Sequence, residues 1–324
     1  MALVAITDHV FPDLDQERAL LAEAGHSLRY ETNATSAAEV ARAVEGADAV
    51  LNCYAPMPAE VIRGLDRCTV IARYGIGLDT IDLDEATARG IVVTNVPDYC
   101  IDEVSDHALA LILALARGVT RLDRRVRAGS WSPSDARPLH RFRGRTAGLV
   151  GFGRIARALA TKLAALGFHI ATFDPFVPED AIREAGADPM TLPEVLRRSD
   201  VVSIHAPLTA DNRHLIGSAE LALMKPDALL VNTSRGPLID LEALRKALSE
   251  GRLGGAGLDV LEVEPPAADD PLLGRDDVVI TPHAAFYSEE SVKELQRKAV
   301  EQVIDALAGR TPRYTVNADA LADR

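Results

Sequence analysis

The sequence predicts an α/β protein whose strands form parallel sheets in two domains. Short runs of β-branched residues alternate with helical patterns almost throughout the chain, which is typical of βαβ units. The chain has 324 residues, about twice the usual length of one domain, so two hydrophobic cores are expected. With 48% hydrophobic and 26% charged residues, the composition is that of an ordinary globular protein.

The first part of the chain is expected to contain four strands and an early helix. The strands are predicted at residues 3–7, 47–51, 70–73 and 91–94. The first helix is predicted to begin near Asp15. From Asp102 a periodic apolar pattern continues towards Arg127 and predicts one helix of about 25 residues, long enough to connect two domains.

The second part of the chain has the rhythm of a six-stranded doubly wound domain. Helix-length segments or loops separate strands predicted at residues 147–151, 169–173, 200–204, 228–232, 255–260 and 278–281. A last helical pattern covers residues 288–308 and is expected to return to the first domain.

Charge and cysteine content limit the partners that the protein is expected to have. The net charge of −13 argues against nucleic acid or an anionic membrane as a direct partner. No apolar run reaches membrane-spanning length, and the first strand lacks the basic leader of a signal peptide. The cysteines are too few for a disulfide framework, and none has the spacing of metal ligands: Cys53, Cys68 and Cys100. We therefore expect a cytoplasmic protein without a bound metal.

One segment differs in charge from the rest of the chain. Residues 121–145, here called the arginine-rich segment, contain eight arginines and two aspartates. Such a segment is an anion-binding patch, an exposed helix and loop, or an interface facing an acidic neighbour. We favour the exposed helix and loop.

A glycine motif predicts a dinucleotide site. Gly151 and Gly153 lie in a G-x-G-x-x-[G/A] pattern that ends on Ala156, between a predicted strand and a predicted helix. Glycines there permit a tight turn and close approach to a pyrophosphate, which the helix N-terminus would attract. A glycine turn alone is weak evidence, but Asp174 ends the next strand, where a carboxylate binds ribose hydroxyls. Residues 175–180 contain no base for a 2′-phosphate, so NAD is favoured over NADP.

Three residues that follow later strands form a chemically coherent set. Arg235, Glu264 and His283 come just after predicted strand ends, where doubly wound sheets bind their ligands. An arginine suits a substrate carboxylate, and a histidine is the natural proton donor near neutral pH. A glutamate at hydrogen-bond distance would orient the imidazole and favour its protonated form. Singly each has an ordinary structural explanation, but behind a dinucleotide motif the set favours hydride transfer to a 2-keto acid, without a metal.

These features together resemble the D-isomer-specific 2-hydroxyacid dehydrogenase family over essentially the whole chain. The matching segments are residues 74–79, 95–97, the helix from 102, 151–156, 232–236, 259–265 and 281–285. The resemblance implies two Rossmann-like or flavodoxin-like domains, with the NAD-binding Rossmann domain (99–287) inserted into a discontinuous substrate domain (1–98 and 288–324). It also implies a homodimer.

The resemblance assigns roles to individual residues. It implies that Arg235, Glu264 and His283 are the catalytic set and that the backbone at Ile76 and Gly77 binds the substrate carboxylate. The implied cofactor contacts are Gly151, Gly153, Arg154, Ile155, Asp174, His205, Ala206, Pro207, Thr233, Ser234, Asp259, His283 and Ala285. In this scheme His205 belongs to the cofactor loop and is not a catalyst.

Two departures from the common family pattern bear on the substrate. Residues 284–290 resemble the C-terminal-binding protein branch, although Phe286 stands where that branch has tryptophan. Arg73 matches an arginine of that branch and of phosphoglycerate dehydrogenases. It is expected either to bind an anionic group of the substrate or to be an ion-paired arginine at a strand end. The implied substrate contacts are Arg73, Ile76, Gly77, Arg235 and Phe286.

The expected function is hydride transfer between NADH and a small 2-keto acid, with His283 as the acid and base. One alternative is an NAD(H)-binding, corepressor-like interaction protein, which the lack of a terminal extension disfavours. Another is a dehydrogenase for a phosphorylated or phosphonate hydroxy acid. Because the chain ends near residue 324, it leaves no room for the regulatory domain of many phosphoglycerate dehydrogenases.

Overall fold

A computed structural model describes residues 1–322, which form two compact α/β units. Unit 1 contains Met1–Cys100 and the chain from Tyr287 onward, and unit 2 contains Ile101–Phe286. Both units are built on parallel sheets, as the sequence predicts. None of the helices within residues 1–322 combines the length and the apolar composition needed to cross a membrane.

Unit 1 begins with a five-stranded parallel sheet in the order β2-β1-β3-β4-β5. The strands are β1 (Leu3–Ile6), β2 (Ser27–Arg29), β3 (Ala49–Asn52), β4 (Val70–Arg73) and β5 (Val92–Thr94). The helices between them are α1 (Asp15–Glu23), α2 (Ala37–Ala43), α3 (Ala59–Arg63) and α4 (Leu83–Ala88). Every residue of β3 and β4 is buried, because helices cover both faces of a parallel sheet.

Unit 2 contains a seven-stranded parallel sheet in the order β12-β11-β10-β9-β6-β7-β8. Its strands are β6 (Thr146–Val150), β7 (His169–Phe173), β8 (Asp188–Pro189), β9 (Val201–Ile204), β10 (Leu229–Asn232), β11 (Gly255–Leu258) and β12 (Val278–Ile280). Its helices are α5 (Ile101–Ala116), α6 (Val119–Arg127), α7 (Arg154–Ala165), α8 (Glu179–Glu184), α9 (Leu192–Arg198), α10 (Ser218–Leu221) and α11 (Leu241–Ser249).

The chain then returns to unit 1 through α12 (Glu289–Leu307) and α13 (Ala318–Ala322). Helix α12 packs against β3 and β4 of unit 1. This agrees with the prediction that the helical pattern of residues 288–308 returns to the first domain. The segment between the two helices pairs with the edge of the sheet, where Thr315 forms an antiparallel bridge with Thr94. Unit 1 is therefore assembled from both ends of the described chain.

The single long helix predicted from Asp102 to Arg127 is wrong. Helix α5 ends at Ala116, and α6 starts at Val119, after Gly118 adopts the left-handed φ of 60°. A left-handed glycine ends a helix because its amide then bonds back to an earlier carbonyl, here that of Leu115 at 2.9 Å. The break was not predicted because the apolar pattern continues across it. The apolar residues of α6 are nevertheless not buried.

Two strands were not predicted from the sequence, so the second sheet has seven strands and not six. β2 has three half-buried residues, β8 has one exposed and one half-buried residue, and both strands lie at sheet edges. Such short edge strands pair on one side only and carry no continuous apolar run to reveal them.

Candidate active site

The predicted site residues of unit 2 lie along one edge of its sheet. Six of the parallel strands are each followed immediately by a polar or glycine residue: Gly151 after β6, Asp174 after β7, His205 after β9, Thr233 after β10, Asp259 after β11 and Thr281 after β12. Because the carboxyl ends of parallel strands meet at one edge, this row forms a single ligand-binding rim.

His283 and Glu264 form a direct pair. Nδ1 of His283 lies 2.9 Å from Oε2 of Glu264, and since a carboxylate only accepts, Nδ1 is the donor. The other oxygen of Glu264 accepts the amide hydrogen of Leu261 at 2.9 Å. Burial opposes ionisation of Glu264, but the hydrogen bond and charge of His283 outweigh it and hold the pKa of Glu264 below its usual value. Glu264 is thus ionised at neutral pH and accepts the Nδ1 hydrogen of His283.

Arg235 is brought towards this pair by a close approach of two backbone segments. A Cβ on Gly236 would lie 1.9 Å from the carbonyl carbon of Leu261, so only glycine fits after Arg235. The charge of Arg235 contributes to the lowered pKa of Glu264. Asn232, fully buried, donates from its side chain to the Arg235 carbonyl at 2.8 Å and fixes the turn.

The loop that carries His283 is fastened by Asp259. The Asp259 carboxylate accepts the amide hydrogens of Ala284 and Ala285, each at 2.9 Å, and the hydroxyl of Thr281 at 2.6 Å. The Asp259 carbonyl accepts the amide hydrogen of His283 at 2.8 Å, which supports its left-handed φ of 52°. Asp259 therefore fixes the backbone on both sides of the histidine side chain.

His107 and Thr281 belong to the same cluster, and the sequence analysis assigned no role to either. Nε2 of His107, on α5, lies 2.9 Å from the Thr281 hydroxyl and 3.6 Å from Asp259. Thr281 could have been identified from the sequence, because it stands next to Pro282 and His283. Nothing in the sequence of α5 marks His107, which is more than 170 residues away from its partner.

The glycine loop and Asp174 are also joined. Gly151 has a left-handed φ of 93°, and a Cβ there would lie 2.9 Å from the amide nitrogen of Ala206. A Cβ on Gly153, at the start of α7, would meet no atom within 4 Å. The Asp174 carboxylate accepts the amide hydrogens of Phe152, at 2.7 Å, and of Phe176, at 2.8 Å. Arg154 and Ile155 form the first turn of α7.

His205, Ala206 and Pro207 follow β9 and lie beside this loop, as the Gly151 contacts show. The His205 ring nitrogen Nε2 is 2.9 Å from the Ser203 hydroxyl. Desolvation lowers the pKa of His205 to about 4, so this imidazole is neutral near pH 7. A neutral, hydrogen-bonded histidine suits a loop residue better than a proton donor.

The residues of this rim fit a dinucleotide. The Thr233 hydroxyl is buried and neither donates nor accepts a hydrogen bond within the described chain. Because buried hydroxyls are normally hydrogen-bonded, it is available to a polar group of a ligand. Its neighbour Ser234 donates to the Ile204 carbonyl at 2.9 Å. The open space at Gly153 lies at a helix N-terminus, where a pyrophosphate is favoured. Among residues 1–322, no group of three His, Cys, Asp or Glu side chains is arranged to hold a metal ion.

In unit 1 the predicted substrate residues lie in the loop after β4, here called the 73–77 loop. Arg73 is only 6% exposed and donates to the Tyr74 carbonyl at 2.7 Å. Its Nε is buried without a hydrogen-bond partner, and its guanidinium carbon lies 5.4 Å from the centre of the Tyr54 ring. The Ile76 carbonyl accepts from the Asn95 side chain at 2.8 Å, and Gly77 follows it, half-buried.

Two further segments belong to unit 2. The arginine-rich segment is exposed and ion-paired: Arg124 and Arg125 lie 3.2 and 2.9 Å from Asp276, and Arg145 lies 3.2 Å from Asp227. This agrees with an exposed helix and loop.

Ala285 is buried beside Asp259, and Phe286, the last residue of unit 2, is half-buried.

Comparisons with known proteins agree with this geometry. Residues 109–285 match a family model described as the NAD-binding domain of D-isomer specific 2-hydroxyacid dehydrogenases. A glyoxylate reductase of Korarchaeum cryptofilum is 42% identical over 83% of this chain and 82% of its own length. A D-3-phosphoglycerate dehydrogenase of Methanocaldococcus jannaschii is 34% identical over 98% of this chain, which spans 60% of that relative. The structure of an Aquifex aeolicus D-lactate dehydrogenase, complexed with NAD and lactic acid, superimposes with a TM-score of 0.86 at 28% identity, covering 99% of this chain and 98% of that one.

Proposed function

Because the chain belongs to the D-isomer-specific 2-hydroxyacid dehydrogenase family and is an NAD-dependent oxidoreductase, we propose that it interconverts a small 2-keto acid and its D-2-hydroxy acid. The 2.9 Å pair of His283 and Glu264 carries this proposal, since it provides a proton donor at the rim that binds the dinucleotide. The relatives described above include a glyoxylate reductase and a D-lactate dehydrogenase, and the site chemistry is suited to the same reaction.

When bound, the dinucleotide would supply the hydride chemistry, and Gly153, Asp174 and Thr233 would hold it at the rim. Arg235 binds the substrate carboxylate as a forked cation. His283 holds the proton on Nε2, gives it to the substrate carbonyl oxygen on reduction and takes it back in the reverse direction. Glu264 keeps Nδ1 protonated and stabilises the imidazolium.

The test is an NADH-oxidation screen over 2-keto acids that differ in size and in a second charge, beginning with glyoxylate and pyruvate. We expect turnover of at least one small keto acid by the wild-type protein and a rate lower by about 10²- to 10⁴-fold for His283→Ala. A protein that binds NADH but oxidises it with no member of the panel would contradict the proposal. That result would favour a corepressor-like interaction protein.

A second candidate is a substrate with an additional anionic group, such as a phosphate. A buried charge is normally paired, yet within residues 1–322 no carboxylate lies within ion-pair distance of Arg73. Such a guanidinium fits a ligand anion, and it is compatible with the phosphoglycerate dehydrogenase relatives.

The Arg73 assignment is tested by comparing keto acids with and without a phosphate. For the phosphorylated substrate, Arg73→Ala should raise KM by about tenfold or more, since a hydrogen bond to a charged group is strong, and Arg73→Lys should restore part of the loss. Equal KM values for every substrate in wild type and Arg73→Ala would exclude this role.

We further propose a homodimer that uses the surface of α6 and the residues after it. Helix α6 buries none of its residues, and Trp131 is 88% exposed, with Val119 and Val126 also exposed. Exposed apolar side chains on α6 and just after it are compatible with a protein partner. Light scattering should give twice the chain mass for the wild type and a monomer for Val126→Asp with Trp131→Ser. The three cysteines are buried and none of them forms a disulfide, which supports a reducing, cytoplasmic location.

A further inference from the structure

Two buried glutamines on α12 stand out in unit 1. Gln296 is 5% exposed and Gln302 is 4% exposed, although both carry a polar amide. A buried amide is unfavourable unless it is hydrogen-bonded, and an apolar side chain would pack on a sheet as well. The partners of these two side chains therefore indicate why glutamine stands at both positions.

The amide of Gln296 connects α12 to the start of the 73–77 loop. Its Nε2 lies 3.0 Å from each carboxylate oxygen of Glu17 and 3.1 Å from the Asp13 carbonyl. Glu17, fully buried on α1, accepts the hydroxyl of Tyr74 at 3.0 Å. Tyr74 is itself buried and follows Arg73 directly. Gln296 thus fixes the Tyr74 side chain through one intermediate residue.

The amide of Gln302 reaches the same loop from another direction. Its Nε2 donates to the Asn95 carbonyl at 2.9 Å, and its Oε1 accepts the amide hydrogen of Tyr314 at 3.1 Å. Asn95 in turn donates from its side chain to the Ile76 carbonyl at 2.8 Å. Gln302 thus fixes the Ile76 backbone, again through one intermediate residue.

We propose that Gln296 and Gln302 are positioning residues that hold the 73–77 loop in its substrate-binding conformation. Each reaches the loop through a single buried residue, and the two endpoints, Tyr74 and Ile76, lie on both sides of Gly75. The inference rests on the proposed function, because it takes this loop as the part of unit 1 that binds the substrate.

A role in helix packing alone does not account for this arrangement. Apolar side chains of α12, among them Val300 and Val303, are fully buried and already attach the helix to the sheet. Polar networks that are fully satisfied fix one geometry more narrowly than apolar contacts do. Two such networks that end on the same five-residue loop are expected to fix the position of the loop.

The kinetic test uses Gln296→Met, Gln302→Met and Val303→Ala, a matched control that weakens the packing of the same helix without touching the two networks. The glutamine variants should raise KM for the keto acid by about fivefold to tenfold, the loss expected from one hydrogen bond. Their kcat and their dissociation constant for NADH should stay within about twofold of the wild type. Val303→Ala should lower the thermal midpoint and leave KM unchanged.

Hydrogen exchange of peptides that cover residues 70–80 tests the same inference without turnover. We expect faster exchange in the glutamine variants than in Val303→Ala at an equal loss of thermal stability. Equal exchange would overturn the positioning role, whatever the activity of the protein. Faster exchange in a protein that reduces no keto acid would instead overturn the proposed function. If Gln302→Met does not fold, Gln302→Glu keeps an acceptor for the Tyr314 amide and replaces the donor to Asn95 with a carboxylate oxygen.

Discussion

His283 and His214 share a left-handed backbone, with φ of 52° and 55°, and each places a ring nitrogen against a glutamate carboxylate. The distances are 2.9 Å from His283 to Glu264 and 2.7 Å from His214 to Glu262. The two pairs are nearly alike in composition, but only the first lies in the loop that follows β12. His214 can therefore serve as an internal control for His283.

Replacing these two histidines should separate catalysis from local structure. His283→Ala should lower kcat by about 10²- to 10⁴-fold, because general acid catalysis is lost, while NADH still binds. His214→Ala should leave kcat within about twofold of wild type. NADH binding followed by fluorescence, together with steady-state rates, provides the measurement. Loss of NADH binding in His283→Ala would point to a cofactor role.

The shape of the cation at position 235 should matter as well as its charge. Arg235→Lys removes the planar fork and should lower kcat/KM for the keto acid by about 10- to 100-fold, the strength of a charged hydrogen bond. Arg213→Lys, in an exposed arginine that pairs with Glu262 at 2.9 Å, is the matched control. Similar losses in both variants would argue against carboxylate binding by Arg235.

Removing the Glu264 charge should change the pH profile. The pKa of Glu264 is lowered by His283, so the pair is intact at neutral pH and is lost as the pH falls through that lowered pKa. In Glu264→Gln no carboxylate remains at this position to titrate. The acidic limb of the kcat/KM profile, which protonation of Glu264 produces in the wild type, should therefore be lost. An unmoved limb would contradict the assigned role.

Asp174 should govern the choice between the two nicotinamide dinucleotides. Asp174→Ala removes the charge that would repel a 2′-phosphate, so the NADH:NADPH ratio of kcat/KM should fall by about tenfold, or 1.4 kcal/mol. Asp180→Ala, at an exposed position on α8, serves as the control. An unchanged ratio would refute ribose recognition by Asp174.

Glu17 should make the stability of unit 1 depend on pH. Burial raises the pKa of Glu17 above the ordinary 4.5, against the hydrogen bonds from Gln296 and Tyr74. Between the ordinary pKa of the unfolded chain and the raised pKa of the folded protein, Glu17 binds more protons in the folded state, so the free energy of unfolding falls as the pH rises through this range. The thermal midpoint of Glu17→Gln minus that of the wild type should therefore increase from pH 4 to pH 8. The exposed Glu23→Gln should show no such trend.

Strand positions, and the placement of the candidate site residues just after strand ends, could largely be predicted because both depend on local sequence. Buried parallel strands are short apolar runs, and their ends are visible where Asp174 or Asp259 interrupts the run. The residues along the rim follow from those ends. The break at Gly118 could not be predicted in this way, since the apolar period continues across it and only the left-handed glycine reveals it.

The supporting contacts of the site were beyond reach of the sequence because they join distant segments. Glu17 and Gln296 are 279 residues apart, and each alone resembles an ordinary helical polar residue. Asp259 was expected to contact the cofactor, but its contacts with Thr281 and Ala284 depend on how two loops meet. Such contacts become visible only when the tertiary structure is known.

The assembly of unit 1 from both chain ends has a consequence for synthesis on the ribosome. The edge strand β5 is completed by residues near the end of the chain: Val316 donates its amide to the Val93 carbonyl at 2.9 Å, and Asn317 accepts from the Val93 amide at 2.9 Å. Unit 2 is translated in full before these residues exist, which at about 5–20 residues per second takes on the order of 10 to 40 s. During that interval the nascent sheet of unit 1 exposes the edge of β5 and lacks α12, so we expect this first-made half to be more exposed to aggregation than unit 2.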